Sequence, residues 1–368
     1  MISNIQCNLY LIISDLFFEL RCGVKRSLNE VIVRQSHASE TEAVEQLIQF
    51  MPDIRRCHTV FSQLERQWTW IALTGKINCN AIAATLFDFI FKTRDTFGQL
   101  RKDMTAMLAE KLLEKAVREM SPVAQVVMDI IKRNLYERTA DVSFLATDGE
   151  IISFLQGAST DVAALRSRLA AYRAKYSVYR DILVLDTQGR VCVQLDTRRP
   201  VSASSDPLVA QTLAASEFVE TFRPTDLSPD GRAALVYSHV IRAEGAAEPL
   251  GVLCLVFDMD GEVADLFAGM ARFAQDMVIM LLDSRGEAFA SSDARQAPVG
   301  RTYARTPADS FAVSSSGNST TLAVSRPSEG YQGYEGQAWQ THVLRSAQRA
   351  FASRPTEGLD VALVRREA

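Results

Sequence analysis

One short motif occurs twice in this chain, and its spacing constrains the fold more tightly than any other feature. Leu185-Asp186-Thr187-Gln188-Gly189-Arg190 returns as Leu282-Asp283-Ser284-Arg285-Gly286-Glu287, 97 residues further on (283 minus 186). In each copy a strand-like run enters the motif and another leaves it. Around the first copy these are Ile182-Leu183-Val184 and Val191-Cys192-Val193. A glycine turn between two such runs is a hairpin signature. A period near 100 residues is the length of a module and not of a solenoid repeat, so two similar sheets in tandem are predicted.

The segments around the hairpins define the rest. From Glu40 to Met120 strand signals are sparse, Pro52 is the single proline, and apolar residues recur at helical spacing, as in Phe97, Leu100, Met104, Met107, Leu108 and Leu112. Ser121-Pro122 reads as an N-cap and first-turn proline restarting a helix through Val126, Met128, Ile130, Ile131 and Leu135 to Tyr136. A second capped start, Thr160-Asp161, opens the stripe Val162, Leu165, Leu169, Tyr172, Tyr176, Tyr179, which predicts one half-buried helix with three tyrosines on a face and Arg166, Arg168, Arg173 and Lys175 opposite. Beyond Tyr179 the period becomes strand-like: the hairpin, a short helix over Pro207–Ala215, strands over 218–222, 234–241 and 250–257, and a turn at Ser228-Pro229-Asp230-Gly231. Helices packed on antiparallel sheets make the fold class α+β. The expected division is an N-terminal extension over 1–30, either an amphipathic helix or without definite structure, a helical region over 31–120, a long helix with the first sheet module over 121–268, a smaller second module over 269–352 and a tail over 353–368.

Composition removes whole classes of function. Apolar residues at 47% and charged residues at 23% describe a chain that folds, and a net charge of -4 with pI 5.7 supplies no positive field for nucleic acid. The longest apolar stretch, Leu9 to Leu20, is broken by Ser14, Asp15 and Glu19 and has no basic residue before it, so neither a membrane span nor a signal peptide is expected. The six cysteines form no Cys-x-x-Cys pair, which points to reduced thiols in the cytoplasm. His37, His58, His239 and His342 stand alone. With no His-Glu-x-x-His, Gly-x-Ser-x-Gly or Gly-x-Gly-x-x-Gly motif, no enzyme and no cofactor are expected. Asp258, Asp260, Glu262 and Asp265 do not follow the EF-hand order, so no metal is expected.

The run Leu135-Tyr136-Glu137-Arg138-Thr139-Ala140-Asp141-Val142-Ser143-Phe144-Leu145-Ala146-Thr147-Asp148, with Lys175-Tyr176-Ser177-Val178-Tyr179, resembles the double-Cache sensor modules of bacterial chemotaxis and signal-transduction proteins. Gly330-Tyr331-Gln332-Gly333-Tyr334-Glu335-Gly336 with Trp339 resembles the close of that region, and the resemblance spans residues 97 to 351. It implies a long helix leading into two PAS-like modules, the first binding a small metabolite of the amino acid, amine or organic acid class. The signal would then pass along helices to a partner in trans. The tryptophan of related amino-acid sites is missing, since none occurs between Trp70 and Trp339.

For the pocket, the helix face offers Tyr172, Tyr176 and Tyr179, each otherwise a core residue. Arg180 could grip a carboxylate through its fork or cap the sheet surface. On the strand 234–241 the period of two puts Tyr237 and His239 on one side, where His239 is either a ligand group or a hydrogen-bonded core residue. Asp258 ends a strand, placed either for a ligand amine or as a helix cap. The alternative function is a helical adaptor or homodimer surface over residues 40–140, with modules that bind protein.

Overall fold

The computed structural model describes residues 46–78, 83–307, 310–316 and 319–352. The expectations for 1–30 and the tail, and those resting on Cys7, Cys22, His37 and Cys79, lie outside the described residues. By contacts the chain divides into one unit ending at Glu110 and a second beginning at Lys111.

In the first unit, helix α1 (Pro52–Asn78) opens with proline at its first position and Asp53 in its first turn, where a negative charge meets the positive helix end. Phe61 of α1 packs edge-on against Phe97 at 5.7 Å, and Glu65 accepts a 2.7 Å hydrogen bond from Arg101. Phe97 and Arg101 belong to α2 (Ala83–Ala146), a continuous helix of 64 residues. The expected restart at Ser121 does not occur: Ser121 and Pro122 both lie inside α2. Pro122 costs the helix one ladder bond. Burial of Met120, Val123, Ala124, Val126 and Val127 around it in the second unit outweighs that loss.

The second unit contains the two predicted sheets, and they have one plan. The first orders its strands β2-β1-β5-β4-β3 and the second β7-β6-β10-β9-β8, antiparallel throughout. The first is built of β1 (Tyr179–Asp186), β2 (Val191–Gln194), β3 (Val219–Pro224), β4 (Ala233–Arg242) and β5 (Pro249–Phe257). The second is built of β6 (Met277–Leu282), β7 (Ala288–Ser291), β8 (Phe311–Ser316), β9 (Ser319–Pro327) and β10 (Gln340–Ser346).

The repeated motif forms the β1–β2 and β6–β7 turns, with the same chemistry in each. Asp186 Oδ1 accepts from the amides of Gln188 and Arg190 at 2.8 and 2.9 Å, and Asp283 Oδ1 from those of Arg285 and Glu287 at 2.9 Å each. Gly189 and Gly286 adopt φ of 79° and 80°. A Cβ at either would sit 2.5 or 2.6 Å from the carbonyl of Ser204 or Tyr303, so only glycine fits. The register shifts at the same place in both hairpins, after Val184 and after Leu281.

Four helices accompany the first sheet. They are α3 (Gly149–Leu155), α4 (Val162–Arg173), α5 (Pro207–Ala214) and α6 (Met259–Met270); the short α7 (Ala347–Ala350) follows β10. Asp161 caps α4 as expected, its carboxylate accepting from the Ala164 amide at 2.9 Å. The helix stops at Arg173 and does not continue to Tyr179, which instead opens β1 opposite Phe257. Strand pairing decides this, because β1 is a core strand joined to β5 over its whole length, and that ladder outweighs one more turn of helix.

The alternation expected for β4 holds. Ala234 and Val236 pack with Leu183, Leu185, Val252, Cys254 and Val256 beneath Leu208 and Val209 of α5, filling that face of the first sheet with apolar side chains. Leu235 and Tyr237 are buried as well, on the opposite face.

Candidate functional site

At one end of the first sheet the register between β1 and β5 shifts between Tyr179 and Asp181, and Arg180 is the residue squeezed out. Such bulges re-aim a side chain. The Arg180 guanidinium donates to Asp230 Oδ2 at 2.8 Å and to Ser228 Oγ at 2.5 Å, both in the Ser228–Gly231 turn that leads into β4. Beside it Arg232 donates to both oxygens of Asp260, in the first turn of α6, at 2.7 and 3.2 Å. Ala233, Ala234, Phe257 and Met259 complete a cleft of about 20 Å³, room for about one water. Two ion pairs, Arg180–Asp230 and Arg232–Asp260, thus line one cleft.

Asp258 lies between Phe257 and Met259 at the N-cap position of α6, yet its side chain makes no capping bond. Its carboxylate crowds Gly261, where a Cβ would fall 2.7 Å from Oδ2. Asp258 is therefore next to the cleft in sequence without lining it.

The three tyrosines do come together, although they do not share a helix. Tyr172 stacks on Tyr179 at 6.4 Å and meets Tyr176 at 5.2 Å, and Tyr179 packs edge-on against Phe257 at 5.3 Å. Their polar partners are on α2: the Tyr179 hydroxyl donates to Asp141 Oδ2 at 2.6 Å, Arg138 pairs with Asp141 at 2.7 Å, and the Arg138 guanidinium lies 4.9 Å from the centre of the Tyr176 ring. Burial, reinforced by Asp141, pushes the Tyr172 and Tyr179 hydroxyls well above the usual phenol range. This cluster fastens the first module to α2.

Tyr237 and His239 face away from the α5-covered core. Tyr237 is fully buried, with Phe257 at 4.7 Å and Phe218 at 5.4 Å. Its hydroxyl is 2.6 Å from that of Tyr334, which lies in the loop before β10, and 3.3 Å from the Leu135 carbonyl of α2. The Tyr334 hydroxyl is in turn hydrogen-bonded to Glu220 Oε2 on β3 at 2.8 Å. His239 Nδ1 is 2.8 Å from the carbonyl of Val240.

The candidate residues therefore divide among three places, Arg180 in the charged cleft, the three tyrosines against α2, and Tyr237 and His239 on the far face, with Asp258 apart at the N-cap position of α6. Sequence reading did not pick out Asp230, Arg232, Glu220, Tyr334, Arg138 or Asp141 as partners. The Ser-Pro-Asp-Gly turn was visible, but nothing local says that its aspartate meets Arg180, 50 residues earlier.

In the second module His342 shares a 2.6 Å hydrogen bond with Ser325, and burial lowers its pKa to about 4. Between that value and the ordinary 6.5 the unfolded chain binds a proton that the folded chain refuses, so this residue makes stability fall as pH drops through the window. Thermal unfolding of wild type and His342→Gln at pH 7 and pH 5 checks it: wild type is expected to lose more on acidification.

Among the described residues no group of three histidine, cysteine, aspartate or glutamate side chains could hold a metal ion, and no helix is long and apolar enough to cross a membrane.

No family model matches the chain, and no curated protein matches it. Solved structures do. The extracellular domain of rpHK1S-Z16 superposes with a TM-score of 0.50 at 14% identity, covering 66% of this chain and 99% of that one. The sensor domain of the V. cholerae histidine kinase DctB gives 0.45 at 15% identity, covering 60% and 95%. The ligand-binding domain of the Pseudomonas fluorescens chemoreceptor CtaA, in complex with L-leucine, gives 0.46 at 15%, covering 66% and 100%. The chain has the double-Cache fold, a long helix followed by two PAS-like five-stranded sheets. At these identities the likeness is one of fold.

Proposed function

We propose that this chain is the sensing module of a bacterial signal-transduction system and that it binds a small metabolite carrying an amine, a carboxylate or both in the first module, at the Arg180–Asp230 cleft. The observation that carries this reading is the gathering of two ion pairs, Arg180–Asp230 and Arg232–Asp260, on one cleft. A zwitterion can take over both halves of one ion pair, its carboxylate going to Arg180 and its ammonium to Asp230, so that no charge is left without a partner. The cleft as it stands is far smaller than the roughly 300 Å³ at which small-molecule sites begin. Binding therefore selects a conformation in which the Ser228–Gly231 turn has swung away.

Such a movement has a route onward. The first module grips α2 through Tyr179 and Asp141, and the second grips it through Arg345, which pairs with both Asp276 and Glu119 at 2.7 and 2.8 Å. Displacing one module relative to α2 loads the contacts of the other, and the helix passes the change to a partner in trans.

A thermal-shift screen of the full chain with amino acids, amines, polyamines and carboxylates tests the reading. Ligand at about a hundred times its Kd adds roughly 2.7 kcal/mol, which is on the order of 5–10 °C for a unit of this size. Arg180→Ala is expected to remove the shift while leaving the unliganded midpoint nearly unchanged. No shift across the library, or an equal shift in the variant, rejects the site.

A second reading is supported by the first unit. Val60, Leu64, Trp68 and Ile71 of α1 and Leu100, Met104, Met107 and Leu108 of α2 are exposed, a larger apolar surface than isolated side chains account for. On this reading the helices form a homodimer or adaptor surface. Light scattering after Leu64→Glu/Ile71→Glu substitution would then report a loss of self-association.

A further inference from the structure

We propose that Glu220 is carried as the neutral acid in the folded chain, and that its proton completes a hydrogen-bond chain tying both sheet modules to α2, so that the junction loses a bond as pH rises. Three oxygen–oxygen links run in series: Glu220 Oε2 to Tyr334 at 2.8 Å, Tyr334 to Tyr237 at 2.6 Å, and Tyr237 to the Leu135 carbonyl at 3.3 Å. Each link needs one proton. Two phenols supply two, so with an ionised Glu220 one link stays empty. The neutral acid supplies the third, and the chain then runs in one direction, from Glu220 through Tyr334 and Tyr237 to the helix carbonyl, each hydroxyl donating once and accepting once.

Two further observations agree. Glu220 Oε1 is buried without a hydrogen-bond partner, a heavy cost for a carboxylate and a smaller one for the carbonyl oxygen of an acid. Burial is also the largest influence on this carboxyl and raises its pKa against the hydrogen bonds that lower it. The titratable groups packed around it are phenols: Tyr237 from β4, Tyr334 from the loop and, against Tyr334 at 6.4 Å, Tyr136 from α2; the Gln337 amide also faces it. His239, two residues further along β4, is engaged with the Val240 carbonyl. The cations on this stretch of α2, Lys132 and Arg133, are paired with Asp129 and Glu137. The junction joins β3 and β4 of the first module, the Gly330–Gly336 loop of the second and the helix, so protonation acts on all three at once.

The sign follows from the raised folded-state pKa. Stability from this group is fully present below the unfolded value and is lost as pH rises through the folded one. Thermal midpoints of the full chain between pH 5 and pH 9 test it, without reference to any ligand. Glu220→Gln keeps a donor at all pH values, so its midpoint should gain on wild type as pH rises from the unfolded-state pKa to the folded-state one, by up to about 3–5 °C per pH unit, and then hold a constant lead. Tyr237→Phe removes two links of the neutral chain and one of the ionised chain, so its deficit should be larger at pH 5 than at pH 9. Infrared spectra of wild type at pH 7 should contain a protonated-carboxyl stretch that Glu220→Gln lacks. If Glu220→Gln does not fold, Tyr237→Phe and the wild-type band after acidification decide the matter. Profiles of both variants parallel to wild type, or a wild-type spectrum with no such band at pH 7, overturn the proposal.

Discussion

Replacing Tyr237 by alanine is expected to lower the thermal midpoint of the second unit by about 10–20 °C, the largest effect of any single side chain at the candidate sites. The ring is fully buried between Phe218 and Phe257, and truncating a buried aromatic residue costs about 3–5 kcal/mol through lost burial and the cavity left behind. Its hydroxyl also satisfies Tyr334, and stranding that group adds roughly 1–3 kcal/mol. At about 2–4 °C per kcal/mol for a unit of this length, the sum reaches the stated range. Circular dichroism melts of Tyr237→Ala and Tyr237→Phe measure it, and the phenylalanine variant, which keeps the ring and loses only the hydroxyl, should lose about a third of that amount. An alanine variant melting within about 2 °C of wild type would mean that this ring is not part of the core. Any ligand binding lost in Tyr237→Ala is then a consequence of the fold, which makes Arg180→Ala the cleaner probe of the cleft.

Gly251→Ala is expected to cost about 3 kcal/mol or more, although it adds a single methyl group. Gly251 sits in β5, paired with Asp186 of β1 on one side and with Ile241 of β4 on the other. A Cβ there would fall 2.1 Å from the Leu185 carbonyl oxygen and 3.2 Å from Leu155. The obstruction is backbone in the middle of a sheet, so relief requires moving a strand and not turning a side chain. Gly149, at the start of α3 with nothing within 4 Å of its Cβ position, is the control: Gly149→Ala should be neutral or stabilising by up to about 1 kcal/mol. Urea denaturation midpoints of the two variants check the contrast, and equal midpoints would refute it.

Much of the fold was legible in the residues. The two Leu-Asp-x-x-Gly motifs announce their hairpins because every requirement of the turn is local: an aspartate to accept from the amides two and four residues later, and a glycine where φ is positive. The α4 cap at Asp161 and the alternation of β4 are local in the same sense. The end of α4 was not. From Val162 to Tyr179 the apolar spacing suits a helix, and only the pairing of Tyr179 with Phe257, 78 residues later by subtraction, turns the last residue into strand. Pro122 failed as a helix boundary for a related reason: the punctuation is local, but burial of its neighbours is not.

The sites divide along the same line. Amino-acid order alone determined two tandem sheets behind a helical front and marked Arg180, Tyr237 and the tyrosine stripe as residues of interest. Tertiary structure decided what those residues do, setting Arg180 against Asp230, the tyrosines against Arg138 and Asp141, and Tyr237 in line with Tyr334 and Glu220. Turn and cap chemistry acts over two to four residues and is written in the order of the chain. Ion pairs and buried hydrogen-bond chains form between residues 38 to 114 positions apart, and they exist only after the sheets and α2 have packed.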